Sequence, residues 1–330
     1  GQALDAFREA VAIDPSFALA WAGYAHAVDH KFRFSDLKLD ETIELLERAS
    51  YRALKLNDQQ AEAHLAQDLL VVYRDGRWRS EREAGLVRAM ELSPGLAEAW
   101  FRYSGYLQQF DDRLTDALSA VERAAELDPL SKQIRNQQVQ VLSRLGRLDE
   151  AEQQLNRLIQ LDPEFAVNYR TMAGILASKG RLADALIWQR RAQAKDPGNI
   201  LFHLREVWFL TSMGMDEEYD GLMNRISTLD PNSSTEAFAR TTLNLRQGRL
   251  DAALETATAY ANALAPASMG GFGFRGMVQT LRNQPDEALL DFQRVFESNQ
   301  DEPIGEEGWL RMARNVPDRA CTAAWVCLLY

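Results

Sequence analysis

Between residues 163 and 197 the apolar positions fall into two helical stripes. Tyr169, Met172, Ala173 and Leu176 occupy one face at three- and four-residue spacing, which predicts a helix. Gly180 follows where a helix C-cap would stand, since positive φ costs glycine little. Leu182, Ala185, Leu186 and Ala192 make the second stripe, and Pro197 stops it. One unit is therefore helix, tight turn, helix, stop. Such a hairpin cannot bury its apolar faces alone and needs neighbours of its own kind.

The unit recurs. Asp128-Pro129, Asp162-Pro163, Asp196-Pro197 and Asp230-Pro231 are 34 residues apart, as are Gly146, Gly180, Gly214 and Gly248. Ala117, Ala151, Ala185 and Ala253 keep the same step, with Tyr219 on the missing rung. Two independent markers at one period predict a repeat array. Trp21, Trp100, Tyr169 and Phe272 stand early in the first helix of their hairpins. Ala10, Ala53, Ala89, Ala124 and Ala192 stand late in the second, with Leu158, Ile226 and Val295 as larger variants. These markers resemble the tetratricopeptide repeat. The resemblance covers about residues 1–300 and implies an all-α, right-handed superhelix, an α-solenoid of antiparallel helix pairs.

Read along the chain, residues 1–15 look like a second helix without its first, so the array is expected to start inside a repeat. Residues 16–58 are nine residues longer than the period, with the insertion expected as a loop at about 31–40. Arg82 stands where the family's first alanine of the second helix belongs. The segment SKQIRNQQVQVLSRLG is unusually polar for a packed helix. Residues 301–330 read as a linker and a terminal helix, half of a further repeat, as if the segment belonged to a larger protein.

Composition narrows the function classes. The chain has 330 residues, 46% hydrophobic and 26% charged, which fits a folded protein. Its net charge of −11 argues against a general nucleic-acid binder. The longest uncharged run, from Thr256 to Phe274, is broken by Pro266, Gly270, Gly271 and Gly273 and is too polar for a membrane span. Cys321 and Cys327 exclude a disulfide framework by count. A cytoplasmic location is expected, with a periplasmic one kept open.

Chemistry-bearing motifs are sparse. Gly271, Gly273 and Gly276 satisfy G-x-G-x-x-G, but no strand precedes them, so close helix approach is the better reading. His26 and His30 lie four apart and are weak metal candidates, since a zinc site needs more ligands than two. His64 and His203 stand at positions that the repeat packs internally. No nucleophile constellation or P-loop is present, so the chain is not expected to be an enzyme, and no cofactor is expected.

In the family the first helices line a concave groove. Register across the repeats places Phe101, Asn136, Arg170, Leu204 and Phe238 on one stripe. His26, Leu69, Gln140, Trp208 and Thr242 form another, with Arg144 and Arg246 one turn further on. Aromatics with Arg and Asn are common interface anchors. The groove candidates are therefore Phe101, Asn136, Gln140, Arg144, Arg170, Trp208, Phe238 and Arg246. The Lys/Asn set of the family's carboxylate clamp is missing from these stripes. The expected role is non-catalytic binding of a protein or peptide. The sequence also resembles the C-terminal repeat regions of bacterial multidomain regulators. That likeness implies an alternative, a sensory or regulatory arm beside an upstream effector domain.

Overall fold

The structure, a computed structural model, describes residues 2–34, 39–74, 80–229, 233–264 and 270–298. These residues form seventeen α-helices and no strand. The chain divides into two compact units, the first ending at Leu145 and the second beginning at Gly146.

The first unit holds α1 (Gln2–Ile13), α2 (Ala18–Phe34), α3 (Leu39–Leu56), α4 (Ala61–Arg74), α5 (Ser80–Leu92), α6 (Ala97–Leu107), α7 (Leu114–Leu127) and α8 (Lys132–Arg144). Consecutive helices pack as antiparallel hairpins, and α2 also packs on α4. Of the expected 31–40 loop, residues 31–34 continue α2 and residues from Leu39 belong to α3, while 35–38 lie outside the described residues. The segment Lys31–Phe34 contains neither Gly nor Pro, so nothing in it stops a helix. The polar helix α8 still buries Ile134, Val139, Val141 and Leu142, and Gln137 Nε2 donates to the Phe101 carbonyl at 3.0 Å.

The second unit holds α9 (Leu148–Leu161), α10 (Ala166–Ser178), α11 (Leu182–Lys195), α12 (Ile200–Met213), α13 (Asp216–Leu229), α14 (Ser234–Arg246), α15 (Leu250–Leu264), α16 (Gly270–Leu281) and α17 (Pro285–Ser298). Ala151, Ala185 and Ala253 are fully buried at helix crossings. Tyr219 takes the same rung and is buried too, its hydroxyl donating to the Ala239 carbonyl at 2.5 Å. The segment 301–330 lies outside the described residues.

The turns explain the markers. Gly146, Gly180, Gly214 and Gly248 all have φ between +71° and +77°, and Asn283 (φ +60°) takes the same place in the last hairpin. At Gly180 the turn closes as a Schellman motif, with Arg181 N donating to the Leu176 carbonyl at 2.9 Å. At the hairpin ends the aspartate forms an Asx turn across the proline. Asp14 Oδ1 accepts from Ser16 N at 2.9 Å and Asp162 Oδ1 from Glu164 N at 3.2 Å. Asn57 does the same for Gln59 N at 3.0 Å, where Asp58 replaces the proline.

A second hydrogen bond locks each of these turns from the next helix. Trp21 Nε1 donates to the Pro15 carbonyl and Trp100 Nε1 to that of Pro94, both at 3.0 Å. Tyr169 reaches Pro163 at 2.9 Å, His64 reaches Asp58 at 2.9 Å, and Arg135 reaches Pro129 at 3.4 Å. His203 makes the longest version, 3.5 Å to Pro197. The separation is six residues each time. The early helix position therefore carries a hydrogen-bond donor for the turn behind it, and the two histidines are structural.

The glycine cluster of α16 serves packing. A Cβ on Gly271 would sit 2.6 Å from Ala261 Cα in α15, and one on Gly276 would sit 2.9 Å from the Phe292 ring in α17. No βαβ unit surrounds them.

Candidate functional site

In the first unit, ionic side chains meet where α2, α4, α5 and α6 come together. Asp68 and Arg82 are both almost fully buried, 3% and 7% exposed. Arg82 Nε donates to Asp68 Oδ1 at 2.7 Å, and its second arm reaches Oδ2 at 3.4 Å. An arginine can thus stand on the expected alanine rung because an acid on α4 answers it. Arg102 stands 3.5 Å from the same carboxylate and binds Glu98 at 2.6 Å. Its other arm donates to His26 Nδ1 at 3.2 Å. Burial, and then the Arg102 charge, push the His26 pKa down to about 4. His26 is accordingly a neutral acceptor for Arg102, which would repel a metal cation at the same nitrogen. His30 is exposed, and no group of three His, Cys, Asp or Glu among the described residues could hold a metal.

Beside this network Glu83 accepts from Arg113 at 2.7 Å and from Tyr103 at 3.2 Å. The Arg113 hydrogen bond holds the Glu83 carboxyl below its ordinary range despite some burial. The opposite charges are matched throughout, so the network fixes helices α2, α4, α5 and α6 against one another.

The other candidates of the first unit lie elsewhere. Asn136 is buried and accepts from Gln140 Nε2 at 2.5 Å. Phe101 is half-buried, and Arg144 is exposed in the last turn of α8.

In the second unit, Arg170 and Gly174 lie on α10, and Leu204 and Trp208 lie on α12. Leu204 and Trp208 are both half-buried. Trp208 packs against Phe209, with ring centroids 5.0 Å apart, and Phe209 is buried. Phe238 is also buried, its ring 5.7 Å from Tyr260 and 5.4 Å from Phe274, so it supports the face from beneath. Arg246 is held by the turn it covers, with Nη1 donating to the Thr211 carbonyl in the last turn of α12.

Arg170 is half-buried and differs from Arg82 and Arg102. Its Nε is buried without a hydrogen-bond partner. Burial, with the like charge of Arg205 added, pushes its pKa down to about 10. It remains a cation at neutral pH. Arg205 comes from α12 and lies over Gly174, where an added Cβ would be 3.4 Å from its Nη1. Arg205 was not legible as a candidate. The available signal was the sequence of α10, AVNYRTMAGILAS, which contains an arginine and no acid.

Helix pairs joined by αL turns, inter-repeat Asx turns and a small residue at each crossing define the tetratricopeptide-repeat fold. The family model of that repeat matches residues 105–164. No curated protein matches the chain. Among solved structures, yeast Tom70 is similar at a TM-score of 0.57 and 16% identity, over 96% of this chain. The chain spans 62% of that Tom70 structure. A tetratricopeptide repeat protein from Parabacteroides merdae ATCC 43184 matches at 0.52 and 15% identity, over 82% of this chain and 97% of its own. Human IFIT1, solved as a dimer with PPP-AAAA, matches at 0.56 and 13% identity, over 91% of this chain and 73% of its own. At these identities the likeness is one of fold. No helix among the described residues is long and apolar enough to cross a membrane.

Proposed function

We propose that this chain is a non-catalytic interaction module that docks a protein or peptide on the face formed by α10, α12 and α14. The observation that carries the reading is Trp208. A tryptophan kept half-buried, propped by the buried Phe209 ring and one turn from Leu204 on the same helix, has the make-up of an interface anchor. The repeat's own core does not need it, since Val207, Phe209 and Leu210 already fill the buried side of α12. Arg246 on Thr211 ties α14 to the end of α12, so this part of the face is preorganised.

The test is a selection of displayed random peptides on the full chain. Enriched peptides should bind the wild type and lose at least tenfold on Trp208→Ala, about 1.4 kcal/mol or more, with the circular dichroism unchanged. Peptides that bind the variant equally well, or a selection that enriches nothing, would refute the reading.

A further inference from the structure

Three deeply set arginines among the described residues are answered by carboxylates, whereas the half-buried Arg170 is not. Arg82 has Asp68 at 2.7 Å, and Arg102 has Glu98 at 2.6 Å. Arg275 is gripped by both oxygens of the buried Asp291 at 2.6 Å each. In each case a carboxylate from the same or an adjacent helix answers the desolvated cation, as burial of a charge requires. Arg170 has no such acid. Helix α10 carries none. The one acid of α12, Glu206, is committed to Arg190 at 2.8 Å and Gln193 at 2.7 Å. Instead, a second guanidinium converges on the same stretch of α10. Arg205 crosses Gly174, one turn along from Arg170, and glycine leaves that path open.

Resting on the docking face described above, we propose that Arg170 and Arg205 form a seat for a carboxylate side chain of an acidic peptide partner. The Arg170 guanidinium, with one unsatisfied Nε, and the Arg205 guanidinium over Gly174 bring two planar donor groups to one stretch of α10, and a carboxylate can take such groups in fork geometry. Leu204 and Trp208, on the same helix as Arg205, are half-buried and suit the apolar stem of a glutamate and the residues beside it. The free protein carries the cost of the unmatched charge, and the partner's acid removes it. The seat is local: with a net charge of −11 the chain as a whole repels acidic ligands, so the recognition comes from this pair rather than from a general field.

The experiment uses the full chain and two fluorescent peptides, one alternating Ala and Glu and the same peptide with Gln for Glu, followed by anisotropy at low salt. The Glu peptide should bind with Kd of about 10–100 μM and the Gln peptide about tenfold more weakly. Arg170→Met and Arg205→Met should each weaken the Glu peptide about tenfold and leave the Gln peptide unchanged. Arg191→Met removes an exposed arginine on α11 and should change neither. Arg170→Met should hold or raise the Tm, because an unmatched buried charge is gone; a Tm lowered by several degrees would mark a structural arginine and overturn the proposal. Equal binding of both peptides, an equal effect of Arg191→Met, or no Glu-peptide binding up to about 1 mM would also overturn it. Displacement by inorganic phosphate and not by acetate, at equal ionic strength, would assign the seat to phosphate and overturn the carboxylate reading. Equal binding of the two peptides that is lost on Trp208→Ala would overturn the acid seat alone and leave the docking face standing.

Discussion

Removing Asp68 should destabilise the first unit more than removing the arginine it binds. Asp68→Ala leaves the nearly buried Arg82 guanidinium without its acid, and Arg102 keeps Glu98. Stripping one partner from a buried ion pair costs about 3–5 kcal/mol, so a loss of about 3–4 kcal/mol is expected. Arg82→Met keeps the apolar stem and leaves Asp68 the second guanidinium, Arg102 at 3.5 Å. That loss should be smaller, about 2 kcal/mol. The double variant Asp68→Ala/Arg82→Met replaces the pair with an apolar one. It should lie within about 1–2 kcal/mol of the wild type, a coupling of about 3 kcal/mol or more. Hydrogen exchange followed on peptides from α4 and α5 reads the local opening free energy, and 3–4 kcal/mol appears as exchange faster by a few hundred-fold. Single costs that simply add, or an Asp68→Ala effect below about 1 kcal/mol, would refute the claim that Arg82 is held at an alanine position by this acid.

Two further outcomes follow from the fold. The folded His26 titrates at about 4 against about 6.5 when unfolded, so as pH falls the unfolded chain takes the proton first. The contribution of His26 is present above about pH 6.5, is lost progressively towards pH 4, and amounts to at most about 3 kcal/mol. Urea midpoints at about pH 7 and about pH 5 should converge in His26→Gln, and an unchanged difference would contradict the assignment. Gly271→Ala should cost about 1–3 kcal/mol, because its Cβ would meet the Ala261 backbone at 2.6 Å. Gly85→Ala in α5 meets nothing within 4 Å and should stabilise by about 0.5–1 kcal/mol. Thermal melts of the two variants decide it, and shifts of the same sign would refute the packing account.

How much of this could be read from the sequence depended on whether the relevant partner was local. The αL glycines, the Asp-Pro turns and the two helical stripes act within one hairpin, and their spacing carried them. The continuation of α2 to Phe34 was missed because a charged and aromatic stretch at an insertion looks like a loop when only its polarity is weighed. The Arg82–Asp68 pair was visible only as a departure from pattern, since its acid lies on another helix. Among the groove candidates, register found the rung but not the exposure. Phe238 sits on the same stripe as Leu204, yet Tyr260 and Phe274 cover it. Arg246 shares its rung with Arg144, and its bond to the Thr211 carbonyl on another helix has no marker in the sequence. The isolation of Arg170 depends on acids being absent in three dimensions, which no single motif records.

The hydrogen bond that reaches back six residues also sets what each turn can tolerate during divergence. Trp21, Trp100, Tyr169, His64, Arg135 and His203 span four residue types of different shape and volume, but each delivers a proton donor to the equivalent carbonyl. The constraint inherited at that position is therefore a donor at a given reach rather than a ring. A chain under such a rule can exchange indole for phenol, imidazole or guanidinium and keep its hairpins in place. Its repeats can thus grow unlike one another in spelling long before they differ in geometry.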